Sequence, residues 1–203
     1  MRFAPWSARP SPPPASDAVL AHRAAAGDTA ALDMVYRRES GPVYRYALAM
    51  CGNPAWAADA TQEAFLALVT QPGAYDAAHG SLGAYLAGVA RHMLLAQWRR
   101  QQRLVDRAAG GHEDDEVDPA DGAAPEALSP EAMLVRHQTV DAVWAGLRRL
   151  PWAMREAVVL VDLQERSYQQ AAEVAGIDVN TLRTRLHRGR HRLAACLAEG
   201  ARP

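Results

Sequence analysis

The sequence predicts an all-α fold: two helical domains joined by a flexible acidic linker. Three observations carry that expectation. Alanine is abundant and β-branched residues are few, which favours helix over strand. Apolar residues recur every three or four positions, and no segment shows the alternation of a strand. Charge is also sharply segregated. The 203-residue chain is formally −1, yet residues 106–130, "DRAAGGHEDDEVDPADGAAPEALSP", set eight acids against Arg107 for a net −7, so the rest carries +6. Clustered Gly and Pro without a hydrophobic period make that stretch a linker.

Residues 1–16, "MRFAPWSARPSPPPAS", are rich in Pro and Ser and lack the apolar centre of a signal peptide, so they read as a flexible tail. No apolar run reaches the length of a membrane helix, which points to a cytoplasmic protein without membrane insertion. The first domain, 17–105, begins with "SDAVLAHRAAAGD", which has a Ser/Asp cap and stops at Gly27. "TAALDMVYRRES" starts at Asp28 or Thr29, and Gly41-Pro42 is expected to break it before "VYRYALAMCGN". A further helix spans about 54–69, with Phe65, Leu66 and Val69 on its apolar side. "GAYDAAHGS" is a loop. The spacing of Leu82, Tyr85, Leu86, Val89 and Met93 then predicts a long helix over 82–104. The second domain, 131–200, is expected to hold helices over 131–149, 152–163, 168–175 and 179–198.

The last two have helix-turn-helix spacing. Ser167 caps "YQQAAEVA", whose small Ala171 and Ala172 permit a close crossing; Gly176 takes the turn and Asp178 caps the next helix. In that helix, positions 183–192 hold five arginines and two histidines. At 100° per residue, Leu182, Leu186, Gly189, Leu193 and Leu197 form one stripe. Asn180, Thr184, His187, Arg188 and His191 lie opposite, with Thr181 close by. Arg183 and Arg190 flank one side of the stripe, Arg185 and Arg192 the other. No acid lies between Val179 and Ala198, so salt bridges within the helix do not account for the arginines. Their planar forks suit phosphate and guanine, and DNA contact is the expected role.

Other chemistry finds little support. His187 and His191, at i and i+4, have no third ligand type nearby, and "HEDDE" reads as a solvated acidic run. Cys51 and Cys196 lie far apart and read as small, partly buried hydrophobes. No convergent acid, base or metal set is present, so neither an enzyme, a cofactor nor a metal is expected.

These segments carry a family likeness. "LPWAMREAVVLVDLQERSYQQAAEVAGIDVNTLRTRLHRGRHRL" resembles region four of the extracytoplasmic-function (ECF) subfamily of bacterial RNA polymerase sigma factors. "GNPAWAADATQEAFLALV" resembles their regions 2.1–2.2, and "YDAAHGSLGAYLAGVARHMLLAQWRRQQR" their regions 2.3 and 2.4. The match runs from Asp17 to Leu197 in the family's order. It implies a subunit that binds core RNA polymerase, directs it to promoter DNA and helps open the duplex. It also implies an anti-sigma factor as partner.

By resemblance, Asp59, Gln62 and Glu63 dock on the clamp helices of the polymerase's largest subunit, with Phe65 mostly core, and region four sits near the flap region. The minus-ten element is captured as a single strand by the loop holding Tyr75, Asp76, His79 and Ser81. Arg91, Trp98, Arg99, Arg100 and Arg103 run along that strand. The minus-thirty-five duplex is read by Asn180, Thr181, Arg183, Thr184, His187, Arg188 and Arg192. The acidic linker would thread the polymerase's active-centre and RNA-exit channels. Four positions depart from the family pattern: Ala58 and Ala96 where acids are usual, His92 for Asn, and Gln170 for Glu. The competing expectation is a stand-alone helix-turn-helix regulator. Such proteins usually dimerise on palindromes, and no dimerisation helix or effector domain is evident.

Overall fold

A computed structural model describes residues 16–109 and 141–200. The tail and nearly all of the acidic linker, with its "HEDDE" run, lie outside these residues. The described residues are helical and contain no strand.

In the first domain α1 (Asp17–Ala25) begins where the Ser16 hydroxyl accepts from the Val19 N–H. Asp28 caps α2 (Thr29–Cys51), accepting from Ala30 and Ala31 N–H, and it also takes the Arg23 guanidinium at 2.7 Å. These bonds, the Ala31 one foremost, hold its carboxyl below the usual range. Asn53 caps α3 (Pro54–Thr70), with Pro54 at the first turn where its missing N–H costs nothing. A single 3₁₀ turn (Ala77–His79) precedes α4 (Leu82–Ala109). That last helix continues past 105 into the segment read as linker.

The expected break at Gly41-Pro42 is absent, because α2 runs through it. Proline inside a helix costs about 3 kcal/mol by removing a hydrogen bond and crowding the preceding turn. Tertiary burial offsets this here. Val35, Val43, Tyr46, Ala47 and Met50 form one continuous buried stripe across the proline, packed on α3 and α4. Leu66 is a second departure, being 50% exposed instead of core.

In the second domain, helical residues 141–148 (α5) lead to α6 (Trp152–Val158), which passes into a π segment (Val159–Leu163). There Gln164 N–H donates to Val159 O, five residues back, at 3.0 Å. Then come α7 (Tyr168–Ala175) and α8 (Val179–Gly200). Ser167 and Gln170 cap α7 reciprocally, each side chain accepting from the other's N–H. Gly176, with φ of 66°, makes the turn. Leu182 and Leu186 are fully buried. At Gly189, α8 crosses α6 so closely that a Cβ would stand 3.0 Å from Met154 O.

The two domains also pack on one another. The Arg155 guanidinium, buried in α6, reaches across to Met50 O at 2.7 Å. The helix cannot use that carbonyl itself, since the residue four ahead is Pro54, which has no N–H. Gln164 Nε2 likewise donates to Pro42 O at 2.7 Å. The Glu156 carboxylate, 1% exposed, accepts from Tyr46 Oη and Arg91 Nε, both at 2.7 Å and both on Oε1.

Candidate nucleic-acid interface

The α8 surface divides as its sequence periodicity requires. Leu182, Leu186 and Gly189 are buried, while Asn180, Arg183, Thr184, His187, Arg188, His191 and Arg192 are exposed. Six of the seven positions assigned to duplex reading therefore share a solvent-facing surface. Thr181 is the seventh. Its hydroxyl donates to Asp178 Oδ2 and its N–H to Asp178 Oδ1, so it serves the cap. Those two bonds keep the Asp178 carboxyl ionised below its usual range.

Three neighbours of this face are structurally engaged. The Arg183 guanidinium sits 5.6 Å above the Tyr168 ring, and the His187 and His191 rings meet edge-on at 4.6 Å. Among the described residues no group of three potential metal ligands exists, so the histidine pair stays a ring contact. Arg190 corrects the sequence reading. It forms a bidentate pair with Asp162, at 2.6 and 3.0 Å, and so does have a salt bridge. The acid comes from the π segment, not from the helix itself.

The minus-ten loop is rigidly built. Asp76 accepts from Ala78 N–H and faces His79 Nδ1, each at 2.9 Å, and these contacts lower its pKa, the backbone bond most. Tyr75 Oη donates to Gly80 O, and its ring tilts against Tyr85 with centroids 5.7 Å apart. Tyr85 is thus a half-buried support for Tyr75. Gly80 needs its φ of 137°, a backbone state that other residues rarely adopt. Asp76 and His79 are exposed, Tyr75 and Ser81 half-buried. Along α4, Trp98 follows Arg91 by two turns on the same face, and Arg99, Arg100 and Arg103 are exposed. Arg91 itself is held by Glu156.

Asp59, Gln62 and Glu63 project to solvent from α3, while Phe65 is buried. Sequence reasoning missed the apolar surface beside them. Tyr36, 53% exposed, packs on Phe65 at 4.9 Å and lines a groove with Gln62, Leu66 and Val69. The available signal was Tyr36 itself, a large aromatic one position off the buried stripe of α2. No helix among the described residues is long and apolar enough to cross a membrane.

Comparison with known proteins agrees with this architecture. Residues 35–104 match the family model for Sigma-70 region 2, and 141–193 that for Sigma-70 region 4. The chain is 32% identical to the ECF RNA polymerase sigma factor SigE of Mycolicibacterium smegmatis, over 94% of this chain and 70% of that protein. It is also 32% identical to SigM of Mycobacterium tuberculosis, covering 90% and 85%. Two solved folds are similar. One is CnrH in complex with the cytosolic domain of CnrY, with TM-score 0.62, 22% identity, and coverage of 90% of this chain and 97% of that one. The other is the sigma factor RpoE in complex with the anti-sigma factor NepR from Bartonella quintana, with TM-score 0.61, 20% identity, and coverage of 84% and 98%. With both regions present in order on an all-α frame, the chain belongs to the ECF RNA polymerase sigma factors.

Proposed function

We propose that this sigma factor works in the bacterial cytoplasm without catalysis of its own, using α8 for the minus-thirty-five duplex and the Tyr75–Ser81 loop with α4 for the minus-ten strand. The observation that carries the reading is the exposed face of α8, where Arg183, Arg188 and Arg192 stand clear of the buried leucines. An arginine fork on a helix face is suited to the major groove. Asp59, Gln62 and Glu63, beside the Tyr36 groove, supply a polar and apolar surface for the clamp helices of core polymerase, with region four toward the flap. Run-off transcription with purified core polymerase and genomic promoter fragments tests this. Failure to stimulate any promoter would refute it.

Arg188 and Arg192 separate base reading from phosphate contact. Arg188→Ala should cost about 1–3 kcal/mol on the preferred promoter and relax selectivity for the minus-thirty-five sequence. Arg192→Ala should weaken all sequences alike and reduce the salt slope by about one unit. Promoter competition by the holoenzyme and binding across a salt series distinguish the two.

An anti-sigma partner is also proposed, supported by the two similar folds, each of which was determined with a bound partner. Tagged protein purified from uninduced cells should bring such a partner with it. Recovery of free, fully active protein would count against one.

A further inference from the structure

The contact between the domains occupies groups that the proposed strand site needs. Arg91, only 18% exposed at its side chain, donates through Nε to Glu156 Oε1 across 65 residues of sequence. Tyr46, fully buried, donates to the same oxygen, and burial together with the Glu156 charge raises its pKa well above the ordinary value. Nearby, α7 lies over the minus-ten loop: a Cβ at Gly80 would stand 2.7 Å from Glu173 Oε2. A cleft of about 630 Å³ separates the two surfaces, walled by Tyr75, His79 and His92 on one side and Ile177 and Arg185 on the other.

The chemistry of Glu156 makes this contact reversible. Its Oε2 has no hydrogen-bond partner among the described residues, although the side chain is buried. A carboxylate with one oxygen unsatisfied recovers less of its desolvation cost than a fully bonded one, so it is weak glue. A guanidinium accepts phosphate in the same planar geometry as carboxylate. Single-stranded DNA therefore offers Arg91 an exchange of like for like, with better hydration outside.

We propose that Glu156 is the pin of an interdomain latch, which in the closed chain holds Arg91 and keeps α7 over the Tyr75–Ser81 loop, so that a single strand reaches both only when the domains part. The masking half of this rests on the strand-binding reading above; the latch itself does not.

The test uses the full chain without polymerase. Small-angle scattering reports domain opening, and anisotropy of a labelled single-stranded oligonucleotide of random sequence reports strand binding. Glu156→Gln keeps an acceptor for Tyr46 but removes the charge from Arg91. It should expand the chain and tighten strand binding about tenfold, because a rarely populated competent state lowers apparent affinity in proportion. Tyr46→Phe removes one hydroxyl and should shift both readouts in the same direction by less. Should Glu156→Gln fail to fold by circular dichroism, Tyr46→Phe carries the same test. Wild-type scattering from the folded variants would overturn the latch. An expanded chain with wild-type strand affinity would overturn instead the assignment of Arg91 and the loop to single-strand binding.

Discussion

Leu186→Asp should unfold the second domain, lowering helical ellipticity and abolishing promoter recognition by the holoenzyme. Leu186 is 2% exposed, and its neighbour on the stripe, Leu182, is fully enclosed. Truncating a buried leucine alone costs about 2–5 kcal/mol through lost transfer energy and the cavity left behind. An unpaired carboxylate at the same place adds several kcal/mol more of desolvation, or forces the group to bind a proton. Since whole domains are stable by only about 5–15 kcal/mol, the sum exceeds what this small domain can bear. Circular dichroism at neutral pH reads the effect, and the exposed Arg188→Ala is the control that should leave helicity intact. A wild-type melting curve for Leu186→Asp would show that the stripe is not the packing face.

Arg155→Met should be nearly as damaging, at about 3–5 kcal/mol, for a different reason. Here the loss is polar. Arg155 donates to Met50 O at 2.7 Å, Arg148 O at 2.6 Å and Leu150 O at 3.1 Å. The first carbonyl closes α2; the other two lie at and just beyond the end of α5. One guanidinium thus caps two helix C-termini, where a positive charge is also favoured by the aligned peptide dipoles. Methionine fills much of the volume but donates nothing, leaving buried acceptors that each cost about 1–3 kcal/mol. Lysine should recover only part of the loss, because a single ammonium cannot match the fork. Thermal unfolding monitored by circular dichroism ranks the three side chains, and equal stability of the methionine variant would exclude the capping role.

The two predictions differ in how far sequence could anticipate them. The α8 stripe was legible because its signal is local. Leu182 and Leu186 repeat at helical spacing, and Ser167, Gly176 and Asp178 mark their boundaries through single-residue chemistry. The same local logic failed at Gly41-Pro42, where Val43, Tyr46 and Met50 find core partners that carry the helix through a breaker. It failed again at Arg190, since Asp162 is 28 residues away in sequence and meets it only after folding. Arg155 and Glu156 were invisible for that reason in stronger form. Their partners Met50, Tyr46 and Arg91 belong to the other domain, and no periodicity in "WAMREAV" distinguishes two buried charged residues from two exposed ones. Among the candidate site residues, exposure on α8 and α3 followed from periodicity, whereas the capture of Arg91 did not.

The π segment after α6 sets angular phase. A helix advances 100° per residue, so one additional residue held in a wide turn rotates everything downstream relative to everything upstream. Upstream, Arg155 and Glu156 face the first domain. Downstream, Asp162 meets Arg190 of α8, and Gln164 meets Pro42 of α2. Deleting one residue such as Val161 would restore ordinary pitch and swing Asp162 and Gln164 by about a quarter turn, beyond reach of both partners. Chain length between α6 and α7 is therefore a geometric parameter of this protein. Substitutions at 159–161 that keep the residue count and the apolar character should be far better tolerated than any insertion or deletion there.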